Sequence, residues 1–172
     1  MSRCVVALLA LAGAVLPATA EDWPQLQCNP QRTGYTTDVV KPPYRIAWHR
    51  EFPPERVARQ VQAVVHAGKV FVGTKSGNLY ALDAKTGKEA WKYASGSAIL
   101  HTVACADGKV VLACIDGSVR AVSESDGSEV WRFQENQWYA FSAAPLLADG
   151  SVFIGQRQGV FFALDLRNGK RL

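Results

Sequence analysis

The chain has 172 residues, 48% of them apolar and 20% charged, a balance that fits one folded domain and excludes a disordered or fibrous chain. Its formal charge of +4 is scattered, with no basic run longer than two residues, which argues against a nucleic-acid-binding stripe. After residue 20 there is no helical periodicity.

Residues 1–20 read as a secretory signal peptide. Arg3 is a short positive start, Cys4 to Leu16 is apolar, and Ala18-Thr19-Ala20 is an A-x-A cleavage site before Glu21. The apolar run is too short for a membrane span, and Cys4 lies too early to be a lipid-attachment cysteine, so a periplasmic or secreted protein is expected. Export permits disulfides, and Cys28, Cys105 and Cys114 remain, an odd number. With a hairpin turn at Ala106–Lys109, Cys105 falls opposite Val110 and Cys114 opposite His101. That leaves the two cysteines on one face but about 13 Å apart at ~3.3 Å per residue, beyond bridging distance. They are expected to be buried small hydrophobes.

Residues 21–44 are rich in Pro, Gly and polar side chains and read as an extended lead-in laid over the surface, anchored by Trp23 and Tyr35. Arg45–Phe52 (R-I-A-W-H-R-E-F) is predicted to be a strand that precedes any blade able to own it, with Trp48 in the place that Trp91 and Trp131 hold later.

From there a repeat takes over. A-L-D-A-K-T-G-K-E-A-W (81–91) returns as A-V-S-E-S-D-G-S-E-V-W (121–131) and again as A-L-D-L-R-N-G-K-R-L (163–172). Glycines at 68, 77 and 87 are matched at 108, 117 and 127, then at 150, 159 and 169. A period near forty with three turns per unit predicts an all-β propeller of four-stranded antiparallel blades. The units run at about 60–93, 99–133 and 142–172. In the first, the strands are expected at Val61–His66, Lys69–Thr74, Asn78–Asp83 and Glu89–Tyr93. Segments such as K-V-F-V-G-T and K-V-V-L-A-C are apolar throughout, as stacked blades require. Asp-Gly at 107–108, 116–117 and 149–150 is the strongest short hairpin signal.

These residues resemble the PQQ-like (quinoprotein-type) β-propeller repeats, whose tryptophan-docking motif is A-x-D-x-x-T-G-x-x-x-W. Ala81, Asp83, Thr86, Gly87 and Trp91 match it throughout; Ala121, Gly127 and Trp131 keep it with Ser123 and Asp126 substituted; Ala163, Asp165 and Gly169 keep it with Asn168. The opening D-W-P-Q is similar to the start of many exported members. The resemblance implies that Trp91 and Trp131 pack between neighbouring blades, and that a full ring has seven or eight of them. At about forty residues per blade that is roughly 280–320 residues. Residues 45–172 are therefore expected to form an incomplete arc of about three blades, part of a longer protein and open to self-association through its uncovered ends.

The same fold hosts unrelated activities. Quinoprotein dehydrogenases of this type carry adjacent cysteines, calcium ligands and a catalytic Asp near the axis. This chain has no Cys-Cys pair, and Asp83, Asp126 and Asp165 read as turn residues, as does the 123–129 stretch. His49, His66 and His101 read as isolated surface or strand-edge residues. No catalytic residue, metal ligand or cofactor is evident, and PQQ with calcium enters only under the dehydrogenase alternative. What remains after the repeat is subtracted is 49–60 and 132–141, both blade-to-blade connections on one face of the ring. Trp138 and Tyr139, with Arg56 and Arg59 behind them, are the expected contacts for a protein or cell-envelope partner. The resemblance thus implies a non-catalytic exported scaffold of the BamB-like branch, with the N-terminal part of a quinoprotein dehydrogenase, or a receptor's extracellular sensor, as alternatives.

Overall fold

The computed structural model describes residues 21–39, 41–135 and 140–172; the expected signal peptide at 1–20 lies outside them. The described residues form three antiparallel sheets, with no helix among them. The first sheet holds β1 (Val64–His66), β2 (Lys69–Gly73), β3 (Asn78–Asp83) and β4 (Glu89–Ala94) in that order. The second holds β5 (Ala104–Ala106), β6 (Lys109–Ala113), β7 (Ser118–Ser123) and β8 (Glu129–Gln134), again in order. The third holds β9 (Leu146–Ala148), β10 (Ser151–Gly155) and β11 (Phe161–Asp165), with a single bridge from Leu164 to Arg171 where a fourth strand begins. The chain is an all-β propeller arc of three blades.

Each blade opens with a two-residue hairpin whose central positions both have φ > 0: Ala67 and Gly68, Asp107 and Gly108, Asp149 and Gly150. This is the type I′ geometry that matches strand twist, and Asp-Gly suits it best. The Asp-Gly at 116–117 is used differently. Only Gly117 is left-handed there, and Asp116 accepts from the Ser118 backbone and hydroxyl instead.

Side-chain alternation decides which blade each residue meets. On β6, Val110 and Leu112 join Phe71, Leu79 and Trp91 in the layer between blades one and two. Val111 and Ala113, one residue out of phase, join Leu147, Val152 and Ile154 between blades two and three. A strand buried on both faces has no polar position to give up, hence the apolar runs. Cys105 and Cys114 sit in the first of these layers, buried and unpaired like Cys28, and burial pushes all three thiols up.

Two expectations for the N-terminal segment need correcting. Residues 45–52 form no strand: no neighbouring strand offers a ladder to this segment, and Ile46 is 85% exposed. Nor does Tyr35, at 68% exposure, anchor the lead-in: most of that segment is exposed, and it is held where Trp23 bridges to Val65 and where Gln25 and Cys28 are buried. The first strand also starts at Val64 rather than Val61, and β5 is too short to bring His101 opposite Cys114.

The turn glycines make a sharp test of packing. Gly108 (φ +69°) has open space where a Cβ would go, while a Cβ on Gly127 (φ +77°) would lie 2.6 Å from the Trp91 indole. Gly108→Ala is expected to cost about 1–2 kcal/mol for the left-handed backbone alone. Gly127→Ala should lose a further ~1–3 kcal/mol because a rigid ring must move. Urea denaturation of the two variants checks this; equal losses would mean that the ring does not rest on the turn.

Candidate functional site

Three tryptophans and three glycine turns join the blades. The Trp48 ring lies against Gly87, Trp91 against Gly127 and Trp131 against Gly169, each with indole carbons 2.5–2.6 Å from where a glycine Cβ would sit. Each indole N–H donates to the carbonyl three residues before its glycine: Trp48 to Ala84 (2.9 Å), Trp91 to Glu124 (3.0 Å) and Trp131 to Leu166 (2.9 Å). Ala81 and Ala121 face Trp91 and Trp131 across their own ladders, where a bulge shifts the register by one residue. Ala163 is in the equivalent place on β11, its carbonyl accepting from the Leu172 N–H. Trp48 thus occupies the expected place without belonging to a strand.

The acidic residues of these turns are committed to the turns themselves. Asp83 accepts from the Lys85 and Thr86 backbones and from the Thr86 hydroxyl (2.7 Å), and these bonds, led by the hydroxyl, hold its carboxyl below the usual range. Asp126 accepts from the Ser128 backbone and hydroxyl in the same way, with the same direction of shift. Asp165 accepts from Arg167, whose side-chain bonds bring its carboxyl down to about 2. Calcium needs six to eight oxygens converging on one point. These carboxylates stand one per blade, each with at least one oxygen held by its own turn, so they do not converge as that ion, or a quinone cofactor held through it, would require. Among the described residues no group of three or more His, Cys, Asp or Glu is placed to hold a metal.

On the handover between segment 45–52 and the first blade, Arg56 and Arg59 are exposed, and Arg56 adopts a left-handed φ of 58°. Trp138 and Tyr139 lie outside the described residues. The residue that organises this connection is one the sequence did not single out, Glu55. It accepts from the Tyr80 hydroxyl (2.6 Å), Asn78 Nδ2 (2.8 Å) and the Thr74 hydroxyl (3.0 Å), with Lys92 Nζ at 3.4 Å. Burial alone would raise its carboxyl, but the three donors and the Lys92 charge outweigh it and bring the value down to about 2. One repeat later, Arg120 replaces Tyr80 and Asp116 supplies the carboxylate. The buried Arg120 guanidinium donates to the Ser95 carbonyl, to Asp116 (2.6 Å) and to the Tyr93 hydroxyl (3.3 Å). In the third blade Phe162 takes the place, packed on Phe133 and Phe141.

His66 stands at the end of β1 as expected but is not isolated. Its Nδ1 lies 2.7 Å from the buried Glu124 carboxylate and its Nε2 3.9 Å from Asp22. His49 is exposed; His101 is half-buried, which lowers its pKa.

A family model described as outer membrane protein assembly factor BamB, built on PQQ-like repeats, matches residues 38–172. The chain is similar to the serine/threonine-protein kinase AfsK of Streptomyces griseus, at 32% identity over 62% of this chain and 14% of that one. It is similar to the quinohemoprotein alcohol dehydrogenase ADH-IIG of Pseudomonas putida, at 28% over 73% of this chain and 20% of that one. Among solved structures, BamB of Moraxella catarrhalis superposes with a TM-score of 0.59 at 28% identity, covering 66% of this chain and 35% of that chain. The chain spans well under half the length of each.

The Glu55 cluster carries a pH prediction. Its folded value, about 2, is below its ordinary 4.5, so its stabilisation is fully present above pH ~4.5 and is lost as pH falls through about 2. Urea melts of wild type and Glu55→Gln are expected to differ by a constant amount from pH 7 to about 4.5 and to converge as pH approaches 2. A difference that persists unchanged at pH 2 would rule the carboxylate out as the cause.

Proposed function

Because the chain belongs to the family of the outer membrane protein assembly factor BamB, we propose that it is an exported, non-catalytic propeller that binds protein or cell-envelope partners. The observation that carries this reading is the engagement of its acidic side chains. Asp83, Asp126 and Asp165 are spent on turns, Glu55 and Asp116 on blade-to-blade networks, and Glu124 on His66. A propeller whose carboxylates hold the scaffold together offers partners its connecting loops instead. The handover connections at 49–60 and 132–141 are the binding face in this reading, with Arg56, Arg59, Trp138 and Tyr139 as contacts. Residues 1–20 direct the chain out of the cytoplasm, to the periplasm or the medium.

A second reading, the N-terminal part of a PQQ-dependent dehydrogenase, is favoured by the likeness to the Pseudomonas putida alcohol dehydrogenase. The likeness to a kinase favours a third, the sensor part of a receptor.

Titration of the purified protein with PQQ and calcium separates the first two: no binding is expected, and stoichiometric binding with alcohol oxidation would overturn the scaffold reading. In parallel, a photo-crosslinker in place of Arg59 is expected to capture an outer-membrane assembly component in intact cells, and the same crosslinker on the Asp107-Gly108 turn is not.

A further inference from the structure

The lead-in crosses all three blades at their inner ends. β1, β5 and β9 are the first strands of their sheets, each with a strand on one side only, and β1 packs beside β5 and β5 beside β9. Three sheet edges therefore converge. Val65 donates its backbone N–H to the Trp23 carbonyl (3.0 Å) and accepts from the Trp23 N–H (2.6 Å). Cys105 donates its N–H to the Pro24 carbonyl (2.7 Å). Leu147 donates its N–H to Gln25 Oε1 (3.1 Å), and its carbonyl accepts from Gln25 Nε2 (3.4 Å). Three consecutive residues thus satisfy one backbone donor on each of three successive blades. Pro24, which has no N–H, leaves no donor unpaired in the middle. Gln25 is 5% exposed, and its carboxamide supplies both the acceptor and the donor that a strand would. Beyond it, the chain turns away through left-handed Gln27 and Cys28.

Uncovered strand edges are templates for pairing with other chains, and proteins cover them. Here one segment covers three. Residues 22–25 contain no backbone hydrogen bond among themselves, so their order comes from the blades they touch. We propose that Asp22–Gln25 is a detachable edge guard: a single extended segment that seals the inner edges of all three blades and releases them together. This goes beyond the binding role proposed above and does not depend on it.

Amide hydrogen exchange on the full chain tests it. In wild type, the Val65, Cys105 and Leu147 amides are expected to exchange at similar, slow rates. Gln25→Ala removes only the two bonds to blade three. If the guard acts as one unit, all three amides accelerate together, by about tenfold, while the Val111 amide in the interior of blade two does not change. Acceleration at Leu147 alone would reduce Gln25 to a local cap and overturn the proposal. So would acceleration at Val111 equal to the rest, because the guard would then not be separable from the blades, and so would no change at Leu147.

Discussion

The contact on which this structure depends is an indole lying flat on a glycine. At each blade junction the ring sits where a Cβ would have to be, and the glycine is left-handed, so two independent requirements exclude every other residue from the position. Burying a tryptophan removes some 150–250 Å² from water, an upper-bound stabilisation of about 4–6 kcal/mol at 25 cal/mol/Å². The indole N–H adds roughly 1 kcal/mol. The ring therefore provides most of the adhesion, and the hydrogen bond fixes where on the turn it rests. Because the acceptor is always the carbonyl three residues before the glycine, each blade is set against the next in the same register.

With that register fixed, one position can change chemistry from blade to blade. Tyr80, Arg120 and Phe162 occupy the same place on the third strand and face what precedes their blade, a connection for Tyr80 and the last strand of the previous blade for the other two. Tyr80 meets Glu55 and Phe52, Arg120 meets Tyr93 and the Ser95 carbonyl, and Phe162 meets Phe133. A phenol on a carboxylate, a guanidinium on a carbonyl and a phenyl on a phenyl all fit, each with its polar atoms partnered. A buried arginine is tolerable only on that condition, since an unpaired charge in this layer would cost several kcal/mol.

How legible these features were follows from their range in sequence. The hairpins were legible because a left-handed pair and a period of two are local properties, and the glycine spacing repeats them three times. The docking turns were legible because Asp83 and Gly87 act within a few residues of each other. Segment 45–52 carries the tryptophan of a last strand and docks it as expected, but, as its place before any blade implied, it meets no strand partner among the described residues and so forms no ladder. The His66 pair with Glu124, 58 residues away, and the Gln25 contacts with Leu147, 122 residues away, leave no periodic trace. Glu55 left the one clue, as a carboxylate directly after Pro53-Pro54 in a connection that the repeat does not explain.

The two ends of each blade are managed by different means. At the outer end the preceding tryptophan covers the turn with apolar area and its indole N–H donates to a turn carbonyl, while the backbone N–H of the residue bearing that carbonyl donates to the glycine carbonyl of the blade's first turn. At the inner end the strands are only three residues long and their apolar faces are spent on neighbouring blades, so little area is left to bury. What remains exposed there is backbone, and backbone is satisfied by backbone or by a carboxamide that imitates it. Hence the sequence that serves the inner end, Trp23-Pro24-Gln25, shares no pattern with the repeats it joins. A segment that works through main-chain atoms is constrained in path and in length, and at most of its positions hardly at all in side chain. The exception is Gln25, where the chain has begun to turn away and only a long amide still reaches the third blade.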